Sequence, residues 1–125
     1  MTSSRSAALG VLTQVGEGAY FQLALKDGLE GLSDRDKRFA AMLTYTTLEN
    51  LGRIDYVIDF FTEGKRVHRP VRNVLRLGVC QLMFIESVPE SAAVNESVKL
   101  LEDSKKRQFK GFVNAVLRNV ATNVG

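Results

Sequence analysis

Residues 70–85 read PVRNVLRLGVCQLMFI. Pro70 suits the first turn of a helix, where its missing N–H leaves no hydrogen bond unmade. From there Val71, Val74, Leu75, Gly78 and Leu82 recur at the three- and four-residue spacing of one helix face. The second half, Leu77 to Ile85, is apolar almost all round, and a helix of that kind is packed on several sides. The rest of the chain is therefore expected to wrap this segment.

Toward the N-terminus the same periodicity continues. Residues 4–16 place Ala8, Val11, Leu12 and Val15 on one stripe, and Gly16 and Gly18 end it. A shorter helix from Tyr20 to Leu29 aligns Phe21, Leu25 and Leu29. Ser33-Asp34-Arg35-Asp36 is a helix start signal, with acids suited to the positive end of the helix dipole. The helix it opens carries Phe39, Met42, Leu43, Thr46 and Thr47 inward. A break near Gly52 is followed by Ile54, Val57, Ile58 and Phe61, with Asp55 and Asp59 on the opposite, solvated face; Glu63-Gly64 stops this helix.

Beyond the central segment, Pro89 and Ser91 open a helix burying Ala92, Ala93, Val94, Val98 and Leu101. A polar, cationic joint from Asp103 to Arg107 leads to a last helix with Phe109, Phe112, Val113, Val116 and Val120 on one face. The closing ATNVG is expected to run out of structure, as where a longer chain is cut. No stretch alternates with a period of two, so the fold class is all-α, a bundle of about seven helices with short loops. The 125 residues fit one domain, 1–125, which buries roughly two thirds of its unfolded surface without disulfide or metal.

Composition narrows the chemistry. The single cysteine, Cys80, excludes an internal disulfide and a cysteine zinc cluster, and its apolar setting makes it a core residue rather than a nucleophile. His68, among cations in GKRVHRP, reads as a solvated loop residue. No phosphate-binding glycine loop, HExxH or GxSxG motif occurs. No catalytic, metal or cofactor site is expected in this segment. With no secretory signal and no run of apolar residues long enough to span a bilayer, the expected setting is the cytoplasm, away from membranes.

Charge is unevenly distributed. The net charge is +3, yet residues 65–76, KRVHRPVRNVLR, hold five Lys/Arg and no acid, and residues 105–118, KKRQFKGFVNAVLR, hold five more and no acid. Nine of the fourteen acids lie between Glu17 and Glu63, so the polarity is not spread evenly over the chain. On helical spacing Arg69, Arg72 and Arg76 form one stripe and Arg107, Lys110, Asn114 and Arg118 another. Two such stripes are the footprint of a polyanion site, most often nucleic acid. Solvated helix faces with some arginines paired to acids have the same signature. Arg76, set among apolar neighbours, leans toward such a pair, and Asn114 could tie two helices together.

Several stretches resemble a known family. RNVLRLGVCQLMFIESVPESAAVNESVKL (72–100) is similar to a stretch shared by the NusB antitermination family and the N-terminal domain of Sun/Fmu-type ribosomal RNA cytosine-5 methyltransferases. FKGFVNAVLRNV (109–120) looks like the last helix of both, and residues 32–61 and Ser4 to Leu25 resemble the regions before them. The resemblance implies the NusB fold and RNA binding. Arg118 after FVNAVL and AYFQLAL at 19–25 resemble the methyltransferase version, although Cys80 stands where an aromatic is common in the family. On that likeness the chain would be the N-terminal part of a longer enzyme. S-adenosylmethionine and the catalytic cysteine would then belong to its C-terminal domain.

The expected partners are RNA, in particular small-subunit ribosomal RNA, and that C-terminal domain. The expected contacts are Lys65, Arg66, Arg69, Arg72, Lys105, Lys106, Arg107, Lys110, Asn114 and Arg118, with Arg5 added because the family uses the basic start of its first helix. Two alternatives stand beside this one. One is a free-standing antitermination factor that binds boxA-like RNA with ribosomal protein S10. The other is a helical protein–protein module whose cations only solvate it.

Overall fold

The computed structural model describes residues 3–123. Seven α-helices and one 3₁₀ turn make up its regular structure, with no strand among the described residues: α1 Ser4–Gly16, α2 Phe21–Gly28, α3 Asp34–Glu49, α4 Leu51–Phe61, α5 Arg69–Phe84, α6 Glu90–Lys99, the 3₁₀ turn Arg107–Phe109, and α7 Lys110–Asn123. The all-α expectation holds. Ala121–Asn123, part of the expected frayed end, continue α7, whereas Val124 and Gly125 lie outside the described residues.

Local signals set most of the boundaries. Ser3 caps α1 by accepting a hydrogen bond from the Ser6 N–H (3.0 Å), and Ser33 caps α3 by accepting from the Asp36 N–H (3.2 Å). Pro70 lies in the first turn of α5. At the end of α4, Glu63 (φ 56°) and Gly64 (φ 72°) turn the chain through the left-handed region, where glycine meets no Cβ penalty. The break between α3 and α4 falls at Asn50, just before the expected Gly52. There the Asn50 side chain donates to the Thr46 carbonyl at 2.9 Å.

The centre of the molecule is α5, which packs against α1, α3, α4, α6 and α7. Nine of its sixteen residues are buried, including Asn73 and Gln81. Cys80 is fully buried as a core residue, and burial pushes its thiol pKa up, opposed in part by a hydrogen bond with Thr47. Gly78 allows the tightest approach: a Cβ there would lie 2.6 Å from Leu117 Cδ1 and 3.2 Å from Leu117 Cγ. Leu117 is itself fully buried, so its branch has nowhere to retreat.

The phase of α3 differs from the sequence expectation. Its buried stripe is Ala40, Leu43, Thr44 and Thr47, while Met42 lies exposed. Threonine can hold these core positions because its hydroxyl bonds back to its own helix. Thr44 donates to the Ala40 carbonyl at 2.9 Å and Thr47 to the Leu43 carbonyl at 2.7 Å. Hydrophobicity alone favoured the thioether over the hydroxyl.

Replacing Gly78 with alanine adds helix propensity of about 1 kcal/mol but forces a methyl into Leu117, an overpacking cost of about 1–3 kcal/mol. The expected net effect is a loss of stability in chemical denaturation, in contrast to the gain of an ordinary Gly→Ala change in a helix. Cys80 provides a second check. Because its folded pKa is raised, the folded state holds its proton where the unfolded chain has released it. Its contribution is therefore neutral below the thiol's unfolded pKa and turns destabilising as pH rises through it. Thiol reagents at neutral pH should label Cys80 only once denaturant opens the fold.

Candidate nucleic-acid interface

The two basic segments occupy equivalent places in the bundle: residues 65–68 lead into α5, and residues 105–109 lead into α7. Gly78 of α5 touches Leu117 of α7, and Val71 of α5 lines one cavity with Phe109 and Phe112. The two helices therefore run the same way past each other, and their starts meet. The contact is closed by aromatic rings, His68 standing 5.8 Å from Phe109 with the planes inclined at 61°. Beside it opens a surface cavity of about 270 Å³ lined by Lys65, Arg66, Val67, His68, Val71, Phe109 and Phe112. A second hollow, sharing Arg66 and His68, is lined by Arg69, Arg72 and Arg76.

Not every cation there is free. Arg76 grips both oxygens of Asp55, through Nε at 2.8 Å and Nη2 at 2.9 Å, and donates from Nη1 to the buried Asn73 side chain at 2.9 Å. Arg72 reaches Asp55 at 3.3 Å and Asp59 at 2.7 Å, with only 17% of its side chain exposed. Burial pulls the Arg72 pKa down. The hydrogen bond to Asp59 and the charges of Asp59 and Asp55 outweigh this, leaving it above its ordinary value. Asp55 is therefore not on a solvated face but half-buried, while Asp59 is exposed as expected; both carboxylates clamp α4 to α5. The expected structural pairing of Arg76 is found, and Arg72, expected as an RNA contact, shares it.

The remaining expected contacts divide. Arg69 is exposed and donates from Nη1 to the Gly16 carbonyl at 3.2 Å, meeting the C-terminal end of α1. Lys65 and Arg66 are exposed, with no carboxylate within 4 Å among the described residues. Lys105 and Arg107 are exposed and Lys106 half-buried in the turn before Phe109, next to the meeting point. Lys110 sits 3.4 Å from Glu102, in a hollow shared with Asn114, Glu96 and Lys99. Exposed Arg118 donates from Nε to the Asn114 side chain at 3.1 Å.

Arg5 stands apart. Its Nε donates to the Gln81 side-chain oxygen at 2.8 Å and its guanidinium lies 5.1 Å from the centre of the Phe39 ring. Burial lowers its pKa, and the charge of Glu96 opposes the shift. It lines a different hollow, with Ser4, Ser33, Arg35, Asp36 and Phe39. What the sequence analysis missed are the walls of the first cavity. Phe109 and Phe112 were assigned to the core but are only half-buried and face this cavity, and His68, an exposed loop residue as expected, lines it with them. The available signal was the alternation of cations and aromatics in KKRQFKGF.

Seven helices centred on α5, with basic segments leading into α5 and α7, define a small helical domain. Residues 2–122 match the NusB family, and the chain belongs to that family. It is 32% identical over 123 residues to a probable ribosomal RNA small subunit methyltransferase B of Bacillus subtilis, covering 95% of this chain but 28% of that protein. It is 31% identical to the transcription antitermination protein NusB of Acidothermus cellulolyticus, covering 98% of this chain and 87% of that protein. The solution structure of NusB from Aquifex aeolicus superposes with a TM-score of 0.79 at 25% identity, over 95% of this chain and 85% of that one.

Among the described residues no group of three or more His, Cys, Asp or Glu could hold a metal ion, and no helix is long and apolar enough to cross a membrane. The Asp55 clamp yields a stability test. Asp55→Ala leaves the partly buried Arg76 guanidinium without a carboxylate and Arg72 with Asp59 alone, and is expected to cost about 1–3 kcal/mol. Asp59→Ala, at a carboxylate 56% exposed, should cost less than about 1 kcal/mol. Urea denaturation of the two variants side by side measures the difference.

Proposed function

We propose that this chain is an RNA-docking domain, holding RNA by its phosphates at the face where α5 and α7 begin. The observation that carries the reading is that Lys65, Arg66 and His68 of one acid-free basic segment line a cavity with Phe109, which stands two residues after the other such segment, 105–107. Phosphate contacts of this kind orient an RNA without reading its bases. In the reading we favour, the domain serves a ribosomal RNA cytosine-5 methyltransferase in the cytoplasm, presenting small-subunit ribosomal RNA to a catalytic domain elsewhere in the protein. Support comes from the Bacillus subtilis relative, from Arg118 after FVNAVL and from AYFQLAL at 19–25. S-adenosylmethionine would be held by that catalytic domain. The regular structure of the described residues is helical throughout and offers no strand–turn–helix to cradle it.

A second reading, an antitermination factor binding boxA-like RNA with ribosomal protein S10, is favoured by one observation. The chain matches the Acidothermus factor at 31% identity over 98% of its own residues, beside 32% over 95% for the methyltransferase relative. The two readings part on RNA preference and on whether S10 raises affinity.

Binding to a small-subunit ribosomal RNA fragment, titrated with salt, tests the docking role. Affinity should fall steeply with salt, and the double change Lys65→Glu/Arg66→Glu should weaken binding and reduce the log–log slope by about 1–2. Arg76→Gln should act on stability instead. No binding at low salt, or an unchanged slope in the double variant, would turn the reading toward a protein–protein module.

A further inference from the structure

We infer that the cavity walled by Phe109 and Phe112 is a slot for one unstacked nucleobase of a single-stranded RNA segment. This deepens the RNA-docking reading and rests on it. Both phenylalanines are only half-buried, although each belongs to an apolar stripe that could have been covered completely. Fully buried Val71 closes the slot beneath them, and the exposed His68 ring stands tilted against Phe109, so the aromatic surfaces form a corner open to solvent. At about 270 Å³ the slot falls just short of the roughly 300–1,000 Å³ of pockets for drug-sized ligands, a size suited to one flat ring system.

The rim decides the occupant. Lys65 and Arg66 border the apolar corner with no carboxylate within 4 Å among the described residues, and Lys105–Arg107 lie one residue, Gln108, before Phe109 in the chain. A nucleotide couples a flat π face to a phosphate one sugar away, which matches an aromatic wall beside a cationic rim. An apolar side chain from a protein partner would use the wall but gain nothing from the rim. Bases inside a duplex are stacked on their neighbours, so the slot selects an unpaired nucleotide. Stacking is tolerant of base identity, so the slot reads single-strandedness rather than sequence.

The experiment compares a short single-stranded RNA with the same strand carrying abasic positions, using the native protein, Phe109→Leu, Phe109→Trp and Lys65→Glu/Arg66→Glu. Native protein should prefer the base-bearing strand by about tenfold. Phe109→Leu, which keeps apolar bulk but removes the aromatic face, should abolish that preference. Phe109→Trp should retain it and, as the only tryptophan in the chain, should lose fluorescence when the base-bearing strand binds and much less with the abasic one. The cation reversal should weaken both strands by the same factor and leave their ratio unchanged.

Thermal melting of each variant checks that it folds, and Phe109→Trp keeps the test decisive if Phe109→Leu does not. Equal native affinity for both strands, with the cation reversal still weakening each, would overturn the slot and leave the docking reading standing. A preference that survives Phe109→Leu would likewise overturn it, leaving the cavity to a protein side chain. Failure of either strand to bind at low salt would overturn both readings together.

Discussion

The close approach of α5 and α7 at Gly78 and Leu117 is the constraint on which the rest of the structure depends. A glycine at the middle of the central helix removes the one side chain that would hold the last helix away, and the buried leucine fills the space it leaves. With that contact made, two helices running the same way must bring their first turns together. The basic segments that lead into those turns are separated by some forty residues in sequence, yet they become one face. The core contact is thus what assembles the surface site, although none of its atoms is exposed there.

Within that face, identical residue types do different work. Arg72 and Arg76 are held by Asp55 and Asp59 and tie α4 to α5. Arg69 meets the end of α1, and Arg5, away from this face, is held by Gln81 and Phe39. Lys65, Arg66 and the cations of residues 105–107 keep their charge toward solvent. A count of positive residues therefore overstates what an anion would meet. Guanidinium groups favour such structural roles because their fixed fork satisfies two acceptors at once, while an exposed lysine remains a mobile point charge.

Much of the fold was legible from residue order. The cap at Ser33, Pro70 in the first turn of α5, the stop at Glu63-Gly64 and the all-round apolarity of Leu77 to Ile85 are local or periodic signals, and each appears where the sequence placed it. The misses share one cause. Met42 outranked Thr44 because hydrophobicity scales do not register a hydroxyl bonded to its own helix. The ion pairs of Asp55 and Asp59 went unread because their partners lie on another helix. Phe109 and Phe112 looked like core because a stripe does not tell which of its members the packing leaves uncovered.

The amino-acid sequence by itself determined the helices, the central place of α5, the core role of Cys80 and the existence of two acid-free basic segments. These depend on neighbours within a few turns, and such neighbours are visible along the chain. Tertiary structure alone decided that the two segments meet, that Arg72 and Arg76 are engaged while Lys65 and Arg66 are not, and that an aromatic corner stands open between them. Each of those outcomes depends on which helix lies against which and at what distance. That is set by side-chain packing between residues far apart in the chain, which periodicity along a single helix does not encode.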